Sequence, residues 1–489
     1  MRHFTTTFLM LFPISVVLAT CRPAPENPPV NVAFISIDSL RADHVSAYGY
    51  RRKTTPTLDR LARQGSLFEN VVAESSWTLP THVTMLTGLA TSTHGVEQFT
   101  GARFGAESQT LAAILSGEGY RTFGVFSGPY LHPAFGLNHG FERYVSAEGD
   151  VVCVASDCNT SADALSEDEA VKAAHVAAHE SVTSPLVTQR ALDFIRSVRD
   201  EPFFLFLHYF DIHFDYVPPE EYAAKFDPEY EGRITGKRFE NNRAVHAFMN
   251  KRDLRHILAL YDGEILFVDD YIGQVIRELK RNGFEENTLV VVTSDHGDEF
   301  FEHRGKGHGH TLFDEVIKVP LIMRLPGRIP PGSRVESQVR QVDIMPTILG
   351  LVGRPELAKG SDGLDLTAWL VTGEEPPRRT ATSRLLHANG EYVSIRTNAS
   401  KLLVHRSGTT EEVTLFDLKT DPAEKNPVFR GRQEAQAFET AGEFTELWRA
   451  LMASSGADER RTNASRGRGS EPVLSEELRE QLRSLGYIP

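Results

Sequence analysis

Cysteine is scarce: the 489 residues hold three, Cys21, Cys153 and Cys158. That is too few for a thiolate metal centre, which takes about four soft ligands. Positive charge is also short, with 52 Lys and Arg against 66 Asp and Glu, a net charge of −14. Surfaces that bind nucleic acid are usually basic, so the balance argues against such a partner. It leaves an anionic substrate open, because a bound cation dominates its local field. Long apolar runs are confined to the N-terminus, and no further membrane-span candidate appears. No internal repeat is visible.

What is present points to an exported α/β protein. The length suits one large α/β domain with additions, or more than one domain. Residues 1–21 read as a secretory leader: a positive start, an apolar run short for a membrane span, then small residues. Leu18-Ala19-Thr20-Cys21 resembles a lipoprotein processing site, which would leave Cys21 lipidated and the chain anchored in a bacterial envelope. The Pro-rich residues 22–30 read as a tether. Residues 31–380 are expected to form the catalytic domain and 381–452 a small antiparallel-sheet subdomain. Residues 453–489 are expected to be a polar segment and a terminal helix. Cys153 and Cys158 sit in a polar insertion, Ala147 to Glu180, where a disulfide would staple a surface loop.

Repeated strand–helix alternation predicts a doubly wound, mostly parallel sheet flanked by helices. Two strands carry chemistry at their ends. Val32 to Ile37 is mostly apolar and ends in Asp38; Thr288 to Ser294 is β-branched and ends in Asp295-His296. Ligands gather outside the carboxyl ends of such strands. A third stretch, Trp77-Thr78-Leu79-Pro80-Thr81-His82, reads as a loop turning into a helix with Pro80 at its first position and Gly88 at its stop. Thr78 then lies at a helix N-terminus, where free N–H groups and the dipole favour an anion. Two strand-end aspartates, one histidine and one threonine suit a hard divalent cation. His208 to Tyr216 brings His213 and Asp211 to the same edge, and the Gly-rich loop with Lys306, His308 and His310 suits an oxyanion. Lys225 to Asn250 reads as a mobile lid or solvated excursion. In the long helix from Leu254 to Lys280, the acids Asp262, Glu264, Asp269 and Asp270 read as a solvated face.

The motifs Ile37-Asp38-Ser39-Leu40-Arg41-Ala42-Asp43, Thr78-Leu79-Pro80-Thr81-His82 and Thr293-Ser294-Asp295-His296-Gly297-Asp298, in this order, resemble the sulfatase family of the alkaline phosphatase superfamily. The resemblance runs from about Asn31 to about Pro422. It implies one divalent metal (Ca, Mn or Zn) on Asp38, Thr78, Asp295 and His296, with Thr78 as nucleophile. It implies catalytic roles for His213 and His310, and substrate contacts for His82, Lys306 and His308. His308 and His310 compete for one role at the leaving group. Asp211, His213, His308 and His310 are the candidates for a second metal, and Arg41 is expected to steady the nucleophile loop.

The sequence also departs from the family. Sulfatases carry Cys or Ser at the Thr78 position and convert it to formylglycine; threonine oxidised in that way gives a ketone. They also place arginine at His82 and a second aspartate at Ser39. Threonine is instead the pattern of nucleotide pyrophosphatase/phosphodiesterases and lipoteichoic acid synthases. There a metal-bound hydroxyl attacks in line and forms a covalent ester. Three readings stay open: a hydrolase of a sulfate or phosphate ester on a small molecule or glycan; a transferase moving a phosphoryl-alcohol group onto an envelope glycan or lipid; and a non-catalytic anion-binding member.

Overall fold

The computed structural model describes residues 29–97, 104, 109–147, 151–154, 157–160, 182–431, 447 and 449–451. The leader, most of the tether and the C-terminal segment lie outside the described residues.

The apolar strands meet in one large sheet. From one edge it runs Ser333–Val335, Ser66–Val72, Lys318–Arg324, Thr288–Ser294, Asn31–Ile37, Phe203–Tyr209, Arg121–Phe126, Arg143–Ser146, Val151–Val154 and Asp157–Thr160. The two strands that flank Asn31–Ile37 are parallel to it, with Ile37 opposite both Tyr209 and Ser294. Side chains alternate between two cores. Val32, Phe34, Phe204, Phe206 and Val291 pack on one face; Ala33, Ile35, Leu205, Leu207 and Val292 pack on the other. Burial on both faces is why these strands read as nearly continuous apolar runs. Mostly parallel pairing with helices on both sides is the architecture expected from the sequence. The expected small sheet is also present, as five antiparallel strands between Ala381 and Arg430.

Three expectations need correction. Cys153 is disulfide-bonded, as expected, but its strand belongs to the main sheet and not to a loop. Val151–Val154 and Asp157–Thr160 form a hairpin that extends the main sheet, with Cys153 opposite Cys158 in register. Residues 225–250 are not a free excursion. Ile234, Phe239 and Val245 are buried, and the Phe239 and Val245 carbonyls accept from Lys306 Nζ.

The acids of the helix Lys251–Arg281 are not a solvated face either; of the four, only Asp270 is exposed. Asp262 accepts from Tyr50 and Arg52 and pairs with His44 Nδ1 at 2.7 Å. Burial pushes the Glu264 carboxyl well up, and Asp211 nearby pushes it further. Asp269 accepts from the Thr57 and Leu58 amides at 2.7 and 3.0 Å, capping the helix Pro56–Gln64. A charge count along the chain cannot see partners that arrive from 200 residues away. Asp269→Ala strands two buried N–H groups and is expected to cost about 2–3 kcal/mol, read as a lower denaturant midpoint.

Candidate active site

Asp38 follows its strand directly, and its amide donates to the Tyr209 carbonyl at 2.9 Å. Asp295 follows the neighbouring strand, so the parallel register alone brings the two carboxylates together. Between them, Ser39 adopts a left-handed backbone (φ 55°), and its amide donates to Asp295 Oδ1 at 3.1 Å. Its hydroxyl donates to Asp38 Oδ1 at 2.9 Å. Motif comparison marked Ser39 only as a missing aspartate; its orienting role depends on backbone geometry.

Thr78 opens the helix Thr78–Thr87, two residues earlier than expected, and Pro80 falls inside the first turn. Gly88 ends the helix in the left-handed region, as expected. The Thr78 hydroxyl lies 3.5 Å from Asp38 Oδ2 and 3.3 Å from His296 Nε2. His296 donates Nδ1–H to the Gly297 carbonyl at 3.2 Å, which leaves Nε2 as an inward-facing acceptor. That Nε2 stands 3.4 Å from Asp295 Oδ2 and 3.8 Å from Asp38 Oδ1.

Both carboxylates are fully buried, and their ion-pair partners among the described residues are all histidines. Burial raises the Asp38 pKa, and burial together with Asp38 raises Asp295 to about 7. Burial and the neighbouring His308 lower His296 to about 4. Two buried acids facing neutral imidazoles, with no Lys or Arg paired to them among the described residues, fit a divalent cation. Asp38, Asp295 and His296 have ligand atoms within 4.8 Å of one another, and the Thr78 hydroxyl completes an oxygen-rich set.

The other expected residues fall into two groups. His213 and His308 come near the cluster. The His308 ring is 4.2 Å from that of His296 and 4.8 Å from that of His213. Asp298 receives His308 Nδ1 at 2.6 Å and the Tyr216 hydroxyl at 2.6 Å. Burial opposes a charged imidazole there, yet Asp298 holds the His308 pKa above its ordinary value. His82 lies beneath Thr78, donating Nδ1–H to the Thr78 carbonyl at 2.8 Å, with Nε2 2.9 Å from the Ser36 hydroxyl. Burial lowers His82 to about 3, so it stays neutral where the family has a charged arginine.

The remaining residues are engaged elsewhere. His310 Nε2 pairs with Glu299 at 3.0 Å, and Lys306 is taken by the two carbonyls of the 239–245 segment. Asp211 accepts from the Thr183 and Ser184 amides, both at 2.7 Å, at the start of the helix Ser184–Ser197. That occupation removes it as a second-metal ligand. Arg41 does not steady the Thr78 loop: it donates to the Asp298 carbonyl, Asp43 and Glu302 and so braces the loop after Asp295.

The fold and this edge define an ester hydrolase of the alkaline phosphatase superfamily. The sulfatase family model matches residues 30–354 and a second, N-sulphoglucosamine sulphohydrolase, C-terminal, matches residues 302–443, so the chain belongs to the sulfatase family. Members of this family depend on a divalent metal. The chain is 23% identical to an N-acetylglucosamine-6-O-sulfatase of Bacteroides thetaiotaomicron, over 86% of this chain and 87% of that one. It shares its fold with BT4656 in complex with its substrate D-glucosamine-2-N,6-O-disulfate (TM-score 0.71, 21% identity, 89% and 99% coverage). It likewise shares it with the phosphonate monoester hydrolase of Agrobacterium radiobacter (TM-score 0.66, 23% identity, 88% and 96% coverage).

Proposed function

We propose that this chain hydrolyses a phosphate, phosphonate or sulfate ester through Thr78, with one divalent cation held by Asp38, Thr78, Asp295 and His296. The observation that carries this reading is the Thr78 hydroxyl at a helix N-terminus, 3.3 Å from the inward Nε2 of His296 and 3.5 Å from Asp38. When bound, the cation lowers the hydroxyl's pKa and shields charge on the transferred group.

Thr78 Oγ, ionised with its proton given to solvent, forms a bond to phosphorus or sulfur in line with the departing ester oxygen, and the ester bond breaks. His308, kept protonated by Asp298, gives its proton to the leaving alcohol. The reverse roles then serve release: neutral His308 takes a proton from water, the water oxygen bonds to phosphorus or sulfur, the bond to Thr78 Oγ breaks to leave Oγ ionised, and the phosphoric, phosphonic or sulfuric acid product departs. His213 stacks on Phe210 with ring centroids 4.5 Å apart, donates Nδ1–H to the Phe214 carbonyl at 2.8 Å, and stands beside His308 to contact a substrate oxygen. His308 is the better candidate at the leaving group, because His310 has both ring nitrogens engaged, Nδ1 with the His308 carbonyl and Nε2 with Glu299.

Phosphorus is the better match to threonine, since a threonine ester can be hydrolysed directly whereas the aldehyde route is closed to it. Likeness to a glucosamine sulfatase across most of the chain favours a sulfated amino sugar as the second substrate class. Matched aryl phosphodiester, phosphonate monoester and sulfate, tested with Mn²⁺, Ca²⁺ or Zn²⁺, separate the two. No metal-dependent turnover on any of them sinks the hydrolase reading. Turnover that speeds up with added alcohol and yields a transfer product assigns the transferase.

Asp298→Asn removes the carboxylate that holds the His308 proton. The alkaline limb of the kcat profile is expected to move to lower pH by about one unit or more, with kcat reduced. The leader further suggests export with a lipid on Cys21; Cys21→Ala is then expected to move the protein from the membrane to the soluble fraction.

A further inference from the structure

A second imidazole is turned towards the carboxylates. His208 lies on the strand Phe203–Tyr209, opposite Ser36, and is fully buried. Its Nδ1–H donates to the Ser127 carbonyl at 2.8 Å, and the Ser127 hydroxyl donates back to the His208 carbonyl at 3.1 Å. This fixes the tautomer and leaves Nε2 as a lone pair. That atom has no hydrogen-bond partner, and Asp38 Oδ2 stands 3.4 Å away. Asp295 Oδ2 is likewise buried without a donor; His82, His208 and Asp295 form one set of ligand atoms within 4.8 Å, which shares Asp295 with the set of Asp38, Asp295 and His296. Lone pairs facing one another in a dry site repel unless something positive lies between them.

His208 repeats the arrangement of His296: Nδ1–H on a backbone carbonyl and Nε2 turned inward as an acceptor. His82 does not, because its Nδ1–H is spent on the Thr78 carbonyl and its Nε2 faces the Ser36 hydroxyl. Donors about 2.1 Å from a shared cation stand roughly 3.0–3.5 Å apart. Three gaps match, 3.4 Å from His208 to Asp38, 3.4 Å from His296 to Asp295 and 3.3 Å from His296 to Thr78, while His296 to Asp38 Oδ1 is wider at 3.8 Å.

We propose that His208 Nε2 is a further inner ligand of the cation held by Asp38, Thr78, Asp295 and His296. This rests on the single-cation reading above. Two imidazoles beside two carboxylates suit Mn²⁺ or Zn²⁺ better than Ca²⁺ or Mg²⁺, which prefer all-oxygen shells.

The test uses the full-length protein with ¹⁵N-labelled histidine, loaded with Mn²⁺ alone, read by pulsed EPR and by titration calorimetry. One Mn²⁺ per chain is expected, coupled to two imidazole nitrogens. His208→Gln is expected to lose one coupling and bind Mn²⁺ at least about tenfold more weakly. A single coupling in the wild type overturns the inference and leaves the cation in place. Two couplings that persist in His208→Gln overturn it too, as do two Mn²⁺ per chain. No Mn²⁺ binding by the wild type removes the cation reading itself. Should His208→Gln fail to fold, His82→Gln decides: two couplings retained support His208, and a drop to one assigns His82 instead.

Discussion

Thr78→Ala is expected to abolish turnover while leaving the protein folded. The expected loss in kcat is at least about a thousandfold, and reaches about a millionfold if nucleophile losses in serine hydrolases are the guide. The two effects separate because of where the hydroxyl points. It makes only long contacts, 3.5 Å to Asp38 and 3.3 Å to His296, so its removal strands no tightly bonded partner. The stability change is expected to stay within about 1 kcal/mol. Thr78→Ser keeps a hydroxyl at the helix N-terminus and is expected to retain measurable activity. Rapid-quench mass spectrometry of the wild type should show the transferred group on Thr78. Turnover in Thr78→Ala within tenfold of wild type would remove Thr78 from the chemistry.

Removing the metal is expected to reverse the sign of Asp295's contribution to the pH dependence of stability. In the metal-free protein, burial and Asp38 hold Asp295 at about 7, against about 3.9 for an unfolded aspartate. Between these values the folded state binds the proton more tightly than the unfolded state. Stability from this group is therefore full below about pH 4, falls as pH rises towards about 7, and is flat above it. The loss is on the order of 4 kcal/mol. Cation binding needs the ionised carboxylates, so loaded protein gains stability with pH relative to metal-free protein over the same window and releases protons as it loads. At a hundredfold excess over Kd, the cation adds about 2.7 kcal/mol. Thermal denaturation of chelated and Mn²⁺-loaded protein from pH 4 to 8 reads both slopes. Parallel slopes would show that no cation binds between Asp38 and Asp295.

The site was legible in the sequence where local rules govern it. Apolar runs ending in Asp38 and Asp295-His296 marked strand ends, and the edge of a parallel sheet is where such ends converge. Thr78 was legible because Pro80 and Gly88 bracket a short helix. The same reading failed where the deciding partner is distant in the chain. Asp262 and Asp269 looked like surface charges until Arg52 and the Thr57 and Leu58 amides arrived from the other side of the fold. Lys306 looked like an anion clamp until the 239–245 segment supplied two carbonyls. Asp211 looked like a spare ligand until a helix start at Ser184 claimed both its oxygens.

By itself the sequence determined the fold class, the sheet edge of the candidate site, and the place of Thr78 near a helix start. These follow from periodicity, strand-end acids and turn residues, all local in the chain. Only the tertiary structure decided which neighbours are engaged and which remain bare. It set His308 against Asp298, withdrew His310 and Lys306 into other bonds, and aimed the unpartnered Nε2 of His208 towards Asp38. The physical reason is that a buried polar atom must be satisfied by whatever the packing brings within about 3 Å, and sequence spacing does not encode that neighbour.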